Sequence, residues 1–272
     1  MNASELFPLG ELHVWFVDLN PAMTLRDDAE RLLSAEELSR ADRFVFPRDR
    51  RRFIGAHVAL REVLGHYLER SGGELGFSAG PNGKPSFEFK GDNWLRFNLS
   101  HSHEGALIAC ARDVDVGIDI EWIRENVDED LIVASSFSAD EQAEWAALDA
   151  SERHVSFFTG WVRKEAYVKA LGEGLSHPAS AYTVRLSHSG LPALLGDTLR
   201  PAAESRWWLN DLEVPPGYVA AAASSSQLKV VSRTWTSDFF AQRQSLVADP
   251  RARGGRAPNI AAKTWSNPET KR

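Results

Sequence analysis

The run from Val114 to Glu121 (Val-Asp-Val-Gly-Ile-Asp-Ile-Glu) constrains the fold more than any other stretch of the chain. Apolar and polar positions alternate through β-branched residues, and side chains along a strand alternate faces with a period of two. The segment therefore reads as a strand, with Ile118 and Ile120 turned toward a core. Asp119 and Glu121 then share the opposite face. Two carboxylates side by side repel unless something positive stands between them. A hard divalent cation such as Mg²⁺, which prefers oxygen ligands, meets that need. The alternative is an ordinary acidic face turned to solvent.

A second stretch, from Phe157 to Lys169, reads as a helix. Phe158, Trp161, Val162 and Val168 fall at helical spacing and define an apolar stripe. At about 100° per residue, Glu165 and Lys169 land near the middle of that stripe. Charges on an apolar face are costly unless they are paired or ligate something. A simple Glu–Lys pair four residues apart contributes only about 0.2–0.5 kcal/mol, too little to offset desolvation. Glu165 and Lys169 are thus expected to face a ligand-filled cleft.

Four blocks stand in order along the chain: Gly83-Lys84-Pro85, Asn98-Leu99-Ser100-His101-Ser102, Gly117 to Glu121, and Trp161 to Lys169. Their order and spacing resemble the 4′-phosphopantetheinyl transferases. More narrowly, they resemble the larger, two-lobed, single-chain type that activates surfactin synthetase. The likeness runs from about Leu12 to about Ala223. It implies two similar lobes with a pseudo-twofold relation and the active site at the interface between them. The first lobe would span residues 1–113 and the second residues 114–240.

The resemblance also implies a reaction: transfer of 4′-phosphopantetheine from coenzyme A to a serine hydroxyl of an apo acyl or peptidyl carrier protein, releasing 3′,5′-ADP. Such chemistry at a diphosphate is mainly positioning and charge neutralisation. Asp119, Glu121 and Glu165 are implied as ligands of Mg²⁺, for which Mn²⁺ could substitute. Glu165 is also implied as the base for the serine proton, directly or through water. Lys169 would steady or protonate the departing phosphate. Arg40, Arg52, Lys84, Ser100 and His101 would hold coenzyme A, with His101 and Ser100 at its 3′-phosphate. Glu37 departs from the family by standing where some members carry a basic residue. A divalent-metal diphosphate hydrolase and an inactive carrier-binding scaffold are the competing functions.

The residues constrain other roles directly. Arg48, Arg50, Arg51 and Arg52 crowd the start of a helix, where the helix dipole disfavours positive charge and an anion would relieve it. His101 and His103 have the spacing of two rings on one strand face, but no third ligand completes a zinc pattern, and His103 is expected at the surface. A net charge of -7 argues against nucleic-acid binding. Cys110 is the single cysteine, so no intramolecular disulfide forms. With neither a signal peptide nor a membrane-length apolar run, a cytoplasmic monomer with no membrane partner is expected.

For organisation, strands are predicted at 12–19, 95–99, 106–111, 182–186, 206–212 and 218–223. Helices are predicted from the capping box at Ser34, over 49–70, and over 128–148 with a break near Ser135–Ser138. Ser100 to Gly105 is expected as a loop. Strands and helices do not alternate regularly, so α+β is the expected class. From about Ala241 to Arg272 the chain turns basic and loses apolar periodicity, predicting a mobile tail.

Overall fold

Two stacked sheets, each backed by a long helix, form the centre of the described residues, beside two small two-stranded sheets; a computed structural model describes residues 7–20, 29–187 and 190–236. The tail expected over 241–272 lies outside the described residues. The first part contains β1 (Glu11–Asp18), α1 (Ala35–Ala41), α2 (Pro47–Leu68), β2 (Phe77–Ala79), β3 (Pro85–Phe87), β4 (Leu95–Ser102) and β5 (Gly105–Arg112). Then come β6 (Val116–Trp122), α3 (Glu129–Ser136), α4 (Ala139–Ala147), α5 (Ala150–Leu171), β7 (Tyr182–Val184), β8 (Leu194–Asp197), β9 (Trp208–Asp211), β10 (Tyr218–Ser224) and β11 (Lys229–Thr234). The class is mixed α+β, as expected.

One sheet has the order β11-β1-β5-β4 and the other β6-β10-β9. β1 is apolar on both faces because both are covered. Trp15 and Val17 pack with Ala56, Leu60, Val63 and Tyr67 of α2. Leu12, Val14 and Phe16 meet Ile118, Ile120, Ala220 and Ala222 of the second sheet. The expected inward face of the carboxylate strand is therefore this sheet-on-sheet core. The opposite face of the second sheet packs on α5, through Ala166, Tyr167, Ala221 and Ala223.

Gly117 sets how closely that helix approaches. A Cβ there would stand 2.1 Å from the Ala166 carbonyl oxygen and 2.3 Å from the Ala170 nitrogen. Only a residue without a side chain lets the α5 backbone press onto β6 at this point. The helix ends at Gly172, whose φ of 73° supplies the left-handed cap.

One expectation needs correction, one is met, and one strand is new. β4 continues to Ser102, so the expected loop from Ser100 reduces to a tight turn at His103-Glu104. His103 takes a φ of 51° there, and its ring stacks on Trp122 instead of sharing a strand face with His101. The break expected near Ser135–Ser138 is present: α3 ends at Ser136, and Ser138 opens α4 with its own capping box to Glu141. Finally, β11 was not foreseen; it returns from the end of the described chain to pair in parallel with β1.

Candidate active site between the carboxylate strand and the long helix

The site grows from the alternation of β4. Asn98, Ser100 and Ser102 share one face and reach β6 through side chains, where no backbone ladder joins the two strands. The Asn98 Oδ1 accepts the Ile118 N–H at 2.8 Å. Ser100 Oγ donates to Asp119 Oδ1 at 2.8 Å. Ser102 Oγ donates to Glu121 Oε2 at 2.7 Å and accepts the Trp122 N–H at 3.1 Å. These bonds fix both carboxylates of the strand against the edge of the first sheet.

From the other side comes α5. Trp161, Glu165 and Lys169, four residues apart, are the partly exposed positions along this otherwise buried stretch. Lys169 does not pair with Glu165 on its own helix. Its Nζ donates to Asp119 Oδ1 at 2.5 Å and to Ser100 Oγ at 3.1 Å. The structure thus brings Ser100, Asp119, Glu121, Glu165 and Lys169 into one cleft. Ser100, expected at the coenzyme phosphate, here bonds Asp119 and Lys169.

The fully buried charges of this helix are two others. Arg163 is 0% exposed and ion-pairs with Asp211; Lys164 is 1% exposed and pairs with Glu141. Sequence reasoning missed both, because their partners lie 48 and 23 positions away.

Electrostatically the cleft is short of positive charge. Burial pushes the Asp119, Glu121 and Glu165 carboxyls above their ordinary range. Mutual repulsion adds to this, Asp119 acting on both of the others, while Lys169 offsets part of it. Three carboxylates against one ammonium leave two negative charges when all are ionised. Asp119 Oδ2 is moreover buried without a hydrogen-bond partner, a costly state for a carboxylate oxygen. Among the described residues, no three of His, Cys, Asp and Glu form a ready-made cage for a metal. Mg²⁺ rarely uses such a cage; it keeps several waters and substrate phosphate oxygens in its shell beside the protein's carboxylates. An all-oxygen donor set, an unpartnered buried oxygen and a charge deficit of two all fit that ion.

The cations gather partly elsewhere. Arg52 donates to Glu104 at 2.8 Å and to Asp49 at 3.3 Å. Arg40 lies over the Phe53 ring, 5.4 Å from its centroid. His101 is exposed as a residue; partial dehydration and then the charges of Lys169, Arg40 and Arg52 hold its pKa down. Those four residues therefore share one neighbourhood beside the acids. Lys84 does not join them. It donates to the Val116 and Ala170 carbonyls, both at 2.9 Å, at the C-terminal end of α5. Glu37 closes the Ser34 capping box and holds the buried Arg61 at 2.8 Å, which accounts for an acid at that position. Glu104, in the β4–β5 turn, was not singled out from sequence.

Comparison with known proteins agrees in both halves of the chain. The 4′-phosphopantetheinyl transferase superfamily model matches residues 115–223, and the model for the N-terminal part of a 4′-phosphopantetheinyl transferase matches residues 20–114. The 4′-phosphopantetheinyl transferase HetI of Nostoc sp. is 36% identical over 61% of this chain and 70% of its own length. The 4′-phosphopantetheinyl transferase Sfp of Bacillus subtilis is 33% identical over 72% of this chain and 89% of its own. The crystal structure of Thermotoga maritima holo-[acyl-carrier-protein] synthase aligns with a TM-score of 0.31 at 23% identity, over 42% of this chain and 64% of that one.

Proposed function

This chain belongs to the 4′-phosphopantetheinyl transferase superfamily, and on that premise we propose that it moves 4′-phosphopantetheine from coenzyme A to a serine of an apo carrier protein. The serine oxygen forms a new bond to the phosphorus that carries pantetheine. The diphosphate P–O bond breaks, and 3′,5′-ADP leaves with the electron pair. Mg²⁺, or Mn²⁺ in its place, would be held by Asp119, Glu121 and Glu165 and would neutralise the diphosphate oxygens.

The observation that carries this reading is the Asp119 carboxylate, with one oxygen held by Ser100 and Lys169 and the other buried without a partner. Glu165, partly open to the cleft, takes the proton of the incoming serine, directly or through water. Lys169 stands where a donor can meet charge that develops on the departing phosphate. Arg40, Arg52 and His101 bind the coenzyme's phosphates. Lys84 has two of its three N–H groups engaged, leaving one for a phosphate oxygen.

We further infer two similar lobes, residues 1–113 and 114–240, related by a pseudo-twofold axis. One helix of 22 residues packs against each of the two sheets, which supports that division, while β11 of the second segment crosses over to join β1 in the first sheet. The protein would act as a cytoplasmic monomer.

The test is incubation with coenzyme A, Mg²⁺ and an apo carrier protein, read by intact mass. One phosphopantetheine added to the carrier is the expected result. Breakdown of coenzyme A without any carrier would replace the transferase with a diphosphate hydrolase. Binding of the carrier with neither reaction would reduce the protein to a scaffold.

A further inference from the structure

Glu121 differs from Asp119 in what holds it. Among the described residues no lysine bonds its carboxylate; its hydrogen bond comes from Ser102, in the last position of β4. The same hydroxyl oxygen accepts the Trp122 N–H, so the Ser102 hydrogen is directed to Glu121 Oε2 and has little freedom to turn away. The turn that follows is clamped in place. His103 stacks on Trp122 with ring centroids 5.1 Å apart, and Trp122 meets Tyr218 edge-on at 4.8 Å. The Tyr218 hydroxyl accepts the Glu104 N–H at 3.1 Å. Gly105 permits this approach, since a Cβ there would stand 3.0 Å from the Tyr218 ring.

We propose that Ser102 is a positioning residue for Glu121. By holding Oε2 it fixes the carboxylate plane and leaves Oε1 as the oxygen that faces a divalent cation. The inference deepens the metal-site reading above and rests on it. A half-buried glutamate has three side-chain torsions to fix before it can ligate. Ordering it in the folded protein removes that cost from the binding step. Partners that orient a metal-ligating carboxylate in this way typically change metal affinity or activity about 10- to 100-fold when removed. Thr in place of Ser would keep a hydroxyl and Cys would keep the volume with a weak donor, so the two separate hydrogen bonding from packing.

Mn²⁺ is the probe, titrated without coenzyme A into wild type, Ser102→Ala, Ser102→Thr, Ser102→Cys and Glu121→Gln, and followed by the paramagnetic resonance of free Mn²⁺. Thermal unfolding is measured beside it. Ser102→Ala and Ser102→Cys should bind Mn²⁺ about tenfold or more weakly. Ser102→Thr should stay within about twofold of wild type, because its hydroxyl can make the same bond. In turnover, the apparent KM for Mg²⁺ should rise with Ser102→Ala, while kcat at saturating metal is largely kept. Wild-type Mn²⁺ affinity in both Ser102→Ala and Ser102→Cys, with Glu121→Gln impaired, would overturn the role of Ser102 and leave the metal site standing. Unchanged affinity in Glu121→Gln would overturn the metal-site reading itself. A lower melting temperature with unchanged affinity would make Ser102 a structural residue only, and should Ser102→Ala fail to fold, the Cys and Thr variants decide.

Discussion

Two lysines on one helix, five positions apart, each meet a carboxylate from elsewhere in the chain, and the two pairs could hardly be more different. Lys164 spends all three N–H groups, on both oxygens of Glu141 at 2.8 and 2.7 Å and on the Tyr182 carbonyl at 2.7 Å. Glu141 in turn accepts the Ser138 and Val184 N–H groups. Nothing in that pair is left over. Lys169, with a side chain 30% exposed, makes two bonds, and its partner Asp119 keeps a buried oxygen with no partner while two further acids crowd in. A saturated pair holds α4, α5 and β7 together. An unsaturated one leaves capacity that only a ligand can fill.

The largest effect should come from breaking the unsaturated pair on its acid side. Asp119→Asn keeps the shape of the side chain and removes its charge. Transfer should fall by about three orders of magnitude, the several kcal/mol expected when a metal loses a charged ligand. The melting temperature should hold or rise, because one member of a repelling acidic group is gone. Near-normal transfer in the folded variant would remove Asp119 from the chemistry.

Swapping the lysines tests the contrast itself. Lys164→Met should cost about 3–5 kcal/mol of stability, since Glu141 is left buried and uncompensated. Lys169→Met should cost less, about 1–3 kcal/mol, because the ammonium is 30% exposed and Ser100 still holds the buried Asp119, yet it should slow single-turnover transfer severely. Chemical denaturation and rapid-quench rates on both variants check this. Equal stability losses with equal rates would show that the two pairs do the same job.

A smaller effect is expected on the phosphate side. Arg52→Ala and His101→Ala should each raise the KM for coenzyme A about tenfold, the worth of one charge-assisted hydrogen bond, and change kcat less. With dephospho-coenzyme A the His101→Ala penalty should largely vanish. An equal penalty with both substrates would separate His101 from the 3′-phosphate.

Much of this site could be read from local pattern. The two-residue alternation of Ile118 to Glu121 gave the correct inward face, and four-residue spacing put Glu165 and Lys169 on one line of α5. What escaped depends on register between distant segments. Nothing near Ser100 announces that it will face Asp119, because β4 and β6 share no ladder and meet only through side chains. Arg61 with Glu37 and Lys164 with Glu141 look like surface charges until the fold buries them. β11 is short and lies at a sheet edge, and it is defined only by its pairing with β1, more than two hundred positions earlier.

Lys84 supplies a third lysine at the same helix and the finest test of the comparison. Its hydrogen bonds go to the Val116 and Ala170 carbonyls and not to a carboxylate, and burial pulls its pKa down to about 8, with Asp115 nearby offsetting part of that and Arg96 adding to it. A lysine in the unfolded chain titrates near 10.4. Between those values the unfolded chain binds the extra proton, so the Lys84 contribution to stability grows as pH rises from about 8. It is fully present above the unfolded value and lost as pH falls through the folded one. The difference in stability between wild type and Lys84→Met should therefore shift in favour of wild type from pH 8 to pH 10. Lys164, matched by Glu141, provides the contrast of an ammonium held by a carboxylate. If coenzyme A phosphates reach Lys84, a saturating concentration should flatten the slope, because an anion restores the charged form. A slope that is absent without coenzyme A would mean that its ammonium is not desolvated at the end of the helix. A slope that persists unchanged with it would take Lys84 out of the phosphate site and leave it as a clasp on two carbonyls.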